Sequence, residues 1–430
     1  MPVDMAGMTG GKTIMDRKPA RDRSKWFRQA RFGMFVHWGA YAVSGRGECV
    51  ALMHDLNSDA YDRKYVSRFK ARSYDPVKWA QLARKAGCRY IVLTAKHYDG
   101  FCLFKTATTD FNACNHGPHR DLVMPYVKAC RAAGLKVGLY YNLRSLYLRG
   151  GVEENDFSIH HRYTSSADHR FYHHLVRQQL VELFTNYGHI DVLWYDQELP
   201  GDPHGYVIKS MTAMVRKLQP HILVNECNSN PNDFDLAKCM VRSSKPGRAW
   251  EACIPFAPMS WWGYHRADGP LKSVSQLCFL LQQSAMLGGN LLLNVGPTAN
   301  GRIPASQTNR MLGIGRWLEV NGESIYGSRI GPGIYATCGT STVVGERLYI
   351  HAFRYEAPEC IFRGVLSPIK RIVCLATEKL VHFEQKGDIV RMYGLSLKSP
   401  DPVAAVYRVE VSGKLRTLVE TPHGNVSIAL

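Results

Sequence analysis

The sequence predicts an α/β chain: a (β/α)8-like barrel followed by a small C-terminal all-β sandwich. Three observations predict it. Through about residue 330, short apolar runs alternate with amphipathic, helix-spaced segments. The apolar runs are nearly continuous, which marks parallel strands covered on both faces. Beyond about residue 335 the helix spacing gives way to short β-rich runs broken by Gly, Pro and Asp. Six to eight strand–helix units in about 300 residues fit a closed barrel better than an open doubly wound sheet. No Gly-x-Gly-x-x-Gly follows the first strand, which weighs against a dinucleotide fold.

In order, strands are expected at 32–39 (FGMFVHWG), 89–97 (RYIVLTAKH), 136–143 (KVGLYYNL), 190–196 (IDVLWYD), 221–227 (HILVNEC) and 290–296 (NLLLNVG), with weaker ones near CMVRSS and RAWEAC. Between them, DPVKWAQLARKAGC, DLVMPYVKACRAAGL and FYHHLVRQQLVELFTNYG repeat apolar residues at three and four positions and finish at a glycine. Asp75 with Pro76, and Asp121, read as helix starts. In the tail, Lys386, Gly387 and Asp388 read as a hairpin turn. The expected organisation is a basic N-terminal segment 1–24, a catalytic barrel 25–332 and a β-sandwich 333–430.

Composition narrows the function classes. The chain has 430 residues, 45% of them hydrophobic, enough for at least one large core. An excess of 54 Lys+Arg over 36 Asp+Glu gives a formal +18, but no zinc-finger, RRM-like or basic-zipper pattern accompanies it. The surplus reads as a solvated basic surface, with no nucleic-acid partner. Twelve cysteines are too sparse for a disulfide scaffold and form no Cys-x-x-Cys, so reduced, mostly buried thiols are expected. The first residues lack the apolar core of a signal peptide, and no uncharged stretch is long enough to span a bilayer. A cytoplasmic protein with no membrane partner is the expectation, although an exported mature form would look the same.

A barrel presents its chemistry at the C-terminal ends of its strands. Those ends carry His37 and Trp38, His97 with Asp99, Tyr140, Tyr141 and Asn142, Trp194 and Asp196, Glu226, Glu251 and Asn294. Aromatics, imidazoles and amides with a few carboxylates suit a neutral polyol, whose C–H face stacks on rings while hydroxyls bond to His and Asn. Glycoside hydrolysis needs two carboxyl groups: one as nucleophile or base near the anomeric carbon, the other as acid. Side-chain alternation puts Val192, Trp194 and Asp196 on one face, so Asp196 shares its face with an indole. Metal chemistry is the competing use of such residues. His169 and His173 stand four apart on a helix-like segment, but His-Glu-x-x-His is absent and the neighbouring His160, His161 and His174 suggest a histidine-rich surface. His37, His97 and Asp196 as metal ligands are disfavoured by the aromatics around them. No metal and no cofactor are expected.

Several stretches together resemble the α-L-fucosidases of glycoside hydrolase family 29. WFRQARFGMFVHWGAYAVSGRGE, YIVLTAKHYDGFCLF, DLVMPYVKACRAAGLKVGLYYN, DVLWYD, WEACIPFAPMSWWGYHR, LGGNLLLNVGPTANG and RWLEVNGESIYGS match in order from about residue 25 to 330. The resemblance implies a retaining, exo-acting enzyme of TIM-barrel type that removes terminal α-linked L-fucose from glycans or glycoconjugates by double displacement. Asp196 matches the nucleophile and Glu251 the usual acid/base, with Glu48 the runner-up and Glu198 and Glu226 further behind. His37, Trp38, Glu48, His97, Tyr98, Tyr141, Trp194 and Trp261 are the expected sugar contacts. If Glu251 is not catalytic, it is expected to pair with Arg248 or Arg266. Two positions depart from the family pattern: Tyr98 stands where a second histidine is typical, and Cys49 where a tryptophan follows Glu48. Both bear on sugar preference. The alternatives are a glycosidase of the same fold with shifted specificity, or a non-hydrolysing sugar-binding module. Linkage, aglycone and oligomeric state stay open, and a homo-oligomer is compatible with the sequence.

Overall fold

The computed structural model describes residues 22–429 apart from 55, 148–165, 228, 229, 246, 258–260, 268, 330–334, 422 and 423. His160, His161 and nearly all of the basic segment 1–24 lie outside the described residues. Eight parallel strands form one sheet: β1 (Phe32–Val36), β2 (Tyr90–Lys96), β3 (Lys136–Asn142), β4 (Val192–Asp196), β5 (Leu223–Val224), β6 (Phe234–Lys238), β7 (Ala249–Pro255) and β8 (Asn290–Val295). Their order is β5-β4-β3-β2-β1-β8-β7-β6, and a parallel bridge between Asn225 and Phe234 joins the two edges. The sheet is a nearly closed TIM-type barrel, as the sequence predicts.

Apart from β6, whose Lys238 is exposed, the barrel strands bury residues on both faces. Inward residues Phe35, Tyr90, Val92, Tyr140, Val192, Trp194, Phe234, Cys253 and Leu292 form the barrel interior, and Trp26 and Phe27 pack against them. Outward residues such as Met34, Ile91, Leu139, Leu193 and Leu293 pack in the layer that also contains the helical residues Trp79, Tyr126 and Leu281. Major helices Pro76–Lys85, Val123–Ala132, Ser166–Asn186, Tyr206–Leu218, Val274–Met286 and Ala305–Asn321 follow β1, β2, β3, β4, β7 and β8. The two expected helix starts hold: Asp75 Oδ1 accepts from the Val77 and Lys78 amides, and Asp121 Oδ1 from those of Val123 and Met124. No helix joins β5 to β6 or β6 to β7 among the described residues. The weak strand expected near CMVRSS is corrected: β6 is the preceding FDLAK, whose Phe234 and Leu236 alternate into the interior.

Beyond the barrel, five strands (order Thr340–Val344, Arg347–Ala352, Ala405–Val411, Ile369–Cys374, Lys379–Leu380) face four (His382–Lys386, Ile389–Tyr393, Glu359–Arg363, Tyr335–Ala336) around Val343, Ile350, Phe362, Val390 and Val409. The turn after Lys386 runs through Gly387 at φ +60°, a conformation that favours glycine. Trp317 Nε1 donates to the Ala404 carbonyl at 3.1 Å, and Arg408 pairs with Glu323 at 2.8 Å, tying the sandwich to the last barrel helix and the turn after it. The expectation of reduced thiols is corrected in part, since Cys338 and Cys360 form a disulfide inside this domain. Ten other cysteines are free. No helix among the described residues is long and apolar enough to cross a membrane.

Candidate active site

A cleft of about 510 Å³ opens at the C-terminal ends of the strands. It is lined by Phe35, His37, Glu48, Cys49, Leu52, His97, Tyr98, Tyr140, Asn142, Arg144, Trp194, Asp196, Gln197, Lys238, Cys253 and Trp262. A larger surface groove of about 710 Å³ lies between the helices Pro76–Lys85 and Ala305–Asn321, but it has one carboxylate, Asp75, already used as a helix cap.

Asp196 is the last residue of β4, and the register pairs it with Asn142 and pairs Trp194 with Tyr140. Inward-facing residues of neighbouring strands therefore meet at the same height. Tyr140 donates its hydroxyl to Asp196 Oδ2 at 2.7 Å and accepts from Asn142 Nδ2 at 2.9 Å. Lys238, the last residue of β6, bonds Asp196 Oδ1 through Nζ. Burial pushes the Asp196 carboxyl up, but the lysine and then the tyrosine outweigh it and hold the group below the usual carboxylate range. It stands ionised at neutral pH.

Glu48 lies in the loop after β1. Its Oε2 accepts from the Trp262 and Gly263 amides at 3.0 and 2.8 Å, while Oε1 has the Cys49 thiol at 3.6 Å. Among the described residues, Asp196 and Glu48 are the carboxylates that line the cleft.

Two histidines share the cleft. Asn294 Nδ2 donates to the Trp262 carbonyl at 2.7 Å, which turns its Oδ1 toward His37 Nδ1 at 2.6 Å. That bond places the His37 proton on Nδ1 and leaves Nε2 as an acceptor. Burial, reinforced by His97, holds His37 neutral with a pKa well below the ordinary imidazole value. His97 is also lowered by burial, against the pull of Glu48, Asp99 and Asp196. Its ring stacks on Tyr140 at 5.4 Å, and its buried Nδ1 has no hydrogen-bond partner among the described residues.

Of the expected sugar contacts, His37, Glu48, His97, Tyr98 and Trp194 line this cleft, as does Asp196. Four expected site residues lie elsewhere, each for a geometric reason. Glu251 is the third residue of β7 and sits four residues, roughly 13 Å, before the strand end at Pro255. It is fully buried under the indole, with Oε1 accepting from Trp194 Nε1 at 3.0 Å and Oε2 from the Tyr90 hydroxyl. The Tyr90 ring reaches this depth because Gly33 has no side chain: a Cβ there would fall 2.4 Å from the ring. Burial lifts the Glu251 carboxyl to about 7, against the bonds from Tyr90 and Trp194. It pairs with neither Arg248, which holds Asp235, nor Arg266. Trp38 is buried among Phe69, Tyr74 and Trp79 and donates Nε1 to the Thr298 carbonyl at 2.8 Å. Tyr141 points outward, its hydroxyl on Gln179 at 2.6 Å and its ring beneath Lys96; Tyr140 takes the cleft instead. Trp261 stacks on His265 and leans on Gly47, leaving the cleft to Trp262. The minor candidates also lie apart, Glu198 in the exposed loop after β4 and Glu226 bonded to the Leu236 amide at 3.1 Å.

In the sequence, Tyr140, Asn142 and Asn294 stand out only as strand-end residues suited to a polyol, and Lys238 does not stand out at all. Its signal was the alternation of Phe234, Leu236 and Lys238. No group of three His, Cys, Asp or Glu able to hold a metal gathers among the described residues. His169 and His173 stack on their helix, and His173 Nε2 sits 2.7 Å from the Pro200 carbonyl.

Comparison with known proteins agrees with this architecture. The family model described as alpha-L-fucosidase matches residues 12–323. The rat tissue alpha-L-fucosidase is 31% identical over 342 residues, 72% of this chain and 71% of the rat chain. Among solved structures, alpha-L-fucosidase isoenzyme 1 from Paenibacillus thiaminolyticus superposes with a TM-score of 0.83 at 31% identity, covering 91% of this chain and 99% of the other. The Thermotoga maritima alpha-fucosidase in complex with a mechanism-based inhibitor gives 0.75 at 29% identity, covering 90% and 96%. With a family match over most of the barrel and a shared fold across both domains, this chain belongs to the α-L-fucosidase family of glycoside hydrolases.

Proposed function

We propose that this protein is a retaining, exo-acting α-L-fucosidase that removes terminal α-linked L-fucose from an oligosaccharide or glycoconjugate, with Asp196 as nucleophile and Glu48, in place of Glu251, as acid/base. The observation that carries the assignment is that Asp196 and Glu48 face one aromatic cleft while Glu251 is sealed beneath its floor. An Asp196 oxygen forms a bond to the anomeric carbon as the glycosidic bond breaks, and the departing oxygen takes its electron pair and a proton from the Glu48 carboxyl. In the second step water attacks the same carbon and gives a proton to Glu48, and the ester electron pair returns to Asp196. His37 Nε2 and His97 are suited to hold sugar hydroxyls, and Trp194 and Trp262 to wall the C–H face. The names of the family and of its relatives support fucose as the sugar.

A second reading, a sugar-binding module that hydrolyses poorly, is favoured by the Lys238 ion pair that already occupies Asp196. Nitrophenol release from 4-nitrophenyl α-L-fucoside, run beside calorimetric titration with fucose, separates the two. Catalytic release supports the fucosidase, and fucose binding without release supports the module. Release from other aryl glycosides alone moves the specificity, with Tyr98 and Cys49 in the cleft as the first suspects.

A further inference from the structure

Lys238 arrives from β6, a strand with no helix before or after it among the described residues, and its side chain is half exposed. Nζ contacts Asp196 Oδ1 and stands 5.5 Å from the centre of the Trp194 ring. The other Asp196 oxygen has Tyr140, so the carboxylate enters the reaction with one neutral and one cationic partner. Titratable groups facing the pair come from every side: His37 just beyond β1, His97 just beyond β2, Tyr140 from β3 and Cys253 from β7. Cys227 comes from the loop after β5, and Glu48, from the loop after β1, lines the same cleft. Among the described residues, Lys238 is the cation in direct contact with the nucleophile.

Resting on the fucosidase reading above, we propose that Lys238 acts through Asp196 chiefly on the second half of the reaction, keeping the covalent intermediate short-lived. When an Asp196 oxygen bonds to the anomeric carbon, the carboxylate becomes an ester and loses its charge. Lys238 is then left beside a neutral group in a walled cleft, which opposes formation of the intermediate. When water attacks the anomeric carbon, the ester bond breaks, its electron pair returns to Asp196 and the water proton passes to Glu48. The restored carboxylate regains its ion pair, so the same lysine makes Asp196 a better leaving group. A lysine that served only to orient Asp196 would affect both halves alike.

The experiment follows the intermediate directly. A 2-fluorinated fucosyl fluoride is mixed with the wild type, Lys238→Gln, Lys238→Met and Lys238→Arg, and intact-protein mass tracks uptake and decay of the label, with thermal melting as a folding control. The expected result is a label lifetime about tenfold longer or more in the Gln and Met variants, and near wild type in the Arg variant, as removal of a contacting opposite charge implies. Equal lifetimes in wild type, Gln and Met overturn this inference alone. Failure of the folded Gln and Met variants to take up label, while the wild type does, also overturns it, because the lysine would then be needed for attack. No label on the wild type or on any variant overturns the fucosidase reading and this inference with it, whereas label on the Gln and Met variants alone supports the inference.

Discussion

Trp194 donates its indole N–H to Glu251 at 3.0 Å, so one side chain both walls the cleft and seals off the carboxyl beneath it. Glu251→Gln should therefore keep kcat/KM within about threefold of wild type, since the amide can still accept from Trp194 and no reacting atom is touched. Its effect should appear in stability. The folded pKa is raised from 4.5 to about 7, so the native state binds the extra proton between those values. The stabilisation is complete below 4.5 and is lost as pH rises through 7, an effect on the order of 3 kcal/mol. Denaturant titration at pH 5 and pH 8 should show that loss in the wild type and little of it in the Gln variant. A thousandfold drop in kcat at unchanged stability would return the acid/base role to Glu251.

Glu48→Gln should behave in the opposite way. The side chain remains an acceptor for the Trp262 and Gly263 amides, so the fold is kept while the transferable proton is lost. Turnover of substrates with a poor leaving group should fall by about 10²–10⁴. With a dinitrophenyl fucoside, whose departure needs little protonation, the loss should be much smaller, and added azide should restore part of the rate. Equal losses on both leaving groups would remove Glu48 from proton transfer.

Asn294 sets the tautomer of His37 by facing its oxygen to Nδ1 while its amide holds the Trp262 carbonyl. Asn294→Leu releases the ring and leaves Nδ1–H without its acceptor. We expect KM to rise about tenfold or more with a smaller change in kcat, the pattern of lost sugar binding without lost chemistry. Unchanged KM would mean that His37 does not grip the sugar.

The barrel was legible because its strands are continuous apolar runs, and Asp196 was legible because a carboxylate ends such a run on the face of Trp194. Depth and facing were not. WEAC reads like a strand end, yet β7 continues to Pro255 and leaves Glu251 low in the barrel. Tyr140 and Tyr141 are adjacent and chemically alike, and the pairing of Tyr140 with Trp194 decides which one enters the cleft. Near the end of β2 an irregularity between Thr94 and Lys96 breaks the alternation, turning Lys96 outward beside Tyr141 and leaving His97 in the cleft. Lys238 was hidden because β6 is a five-residue strand with two charged residues besides its apolar ones. Motifs name residue types; the register between strands assigns their height and side.

Lys96 is the reverse case of Glu251, a fully buried base. Nζ bonds Ser145 Oγ at 2.7 Å, approaches the Arg144 carbonyl at 3.4 Å and lies over the Tyr141 ring, holding the loop that carries Arg144 to the cleft. Burial lowers its pKa from 10.5 to about 7, with Cys102 and Asp99 pulling weakly the other way. A depressed pKa means that the unfolded chain binds the extra proton between these values. Stability is complete above 10.5 and is lost as pH falls through 7, by about 5 kcal/mol. Lys96→Met should flatten that slope in denaturant titrations at pH 7 and pH 9, and should be at least as stable as wild type at pH 7. Because the methionine cannot bond Ser145 or the Arg144 carbonyl, the same variant should raise KM several-fold if the loop positions Arg144 for substrate. A slope equal to wild type would mean that Lys96 stays charged through ion contacts stronger than its burial.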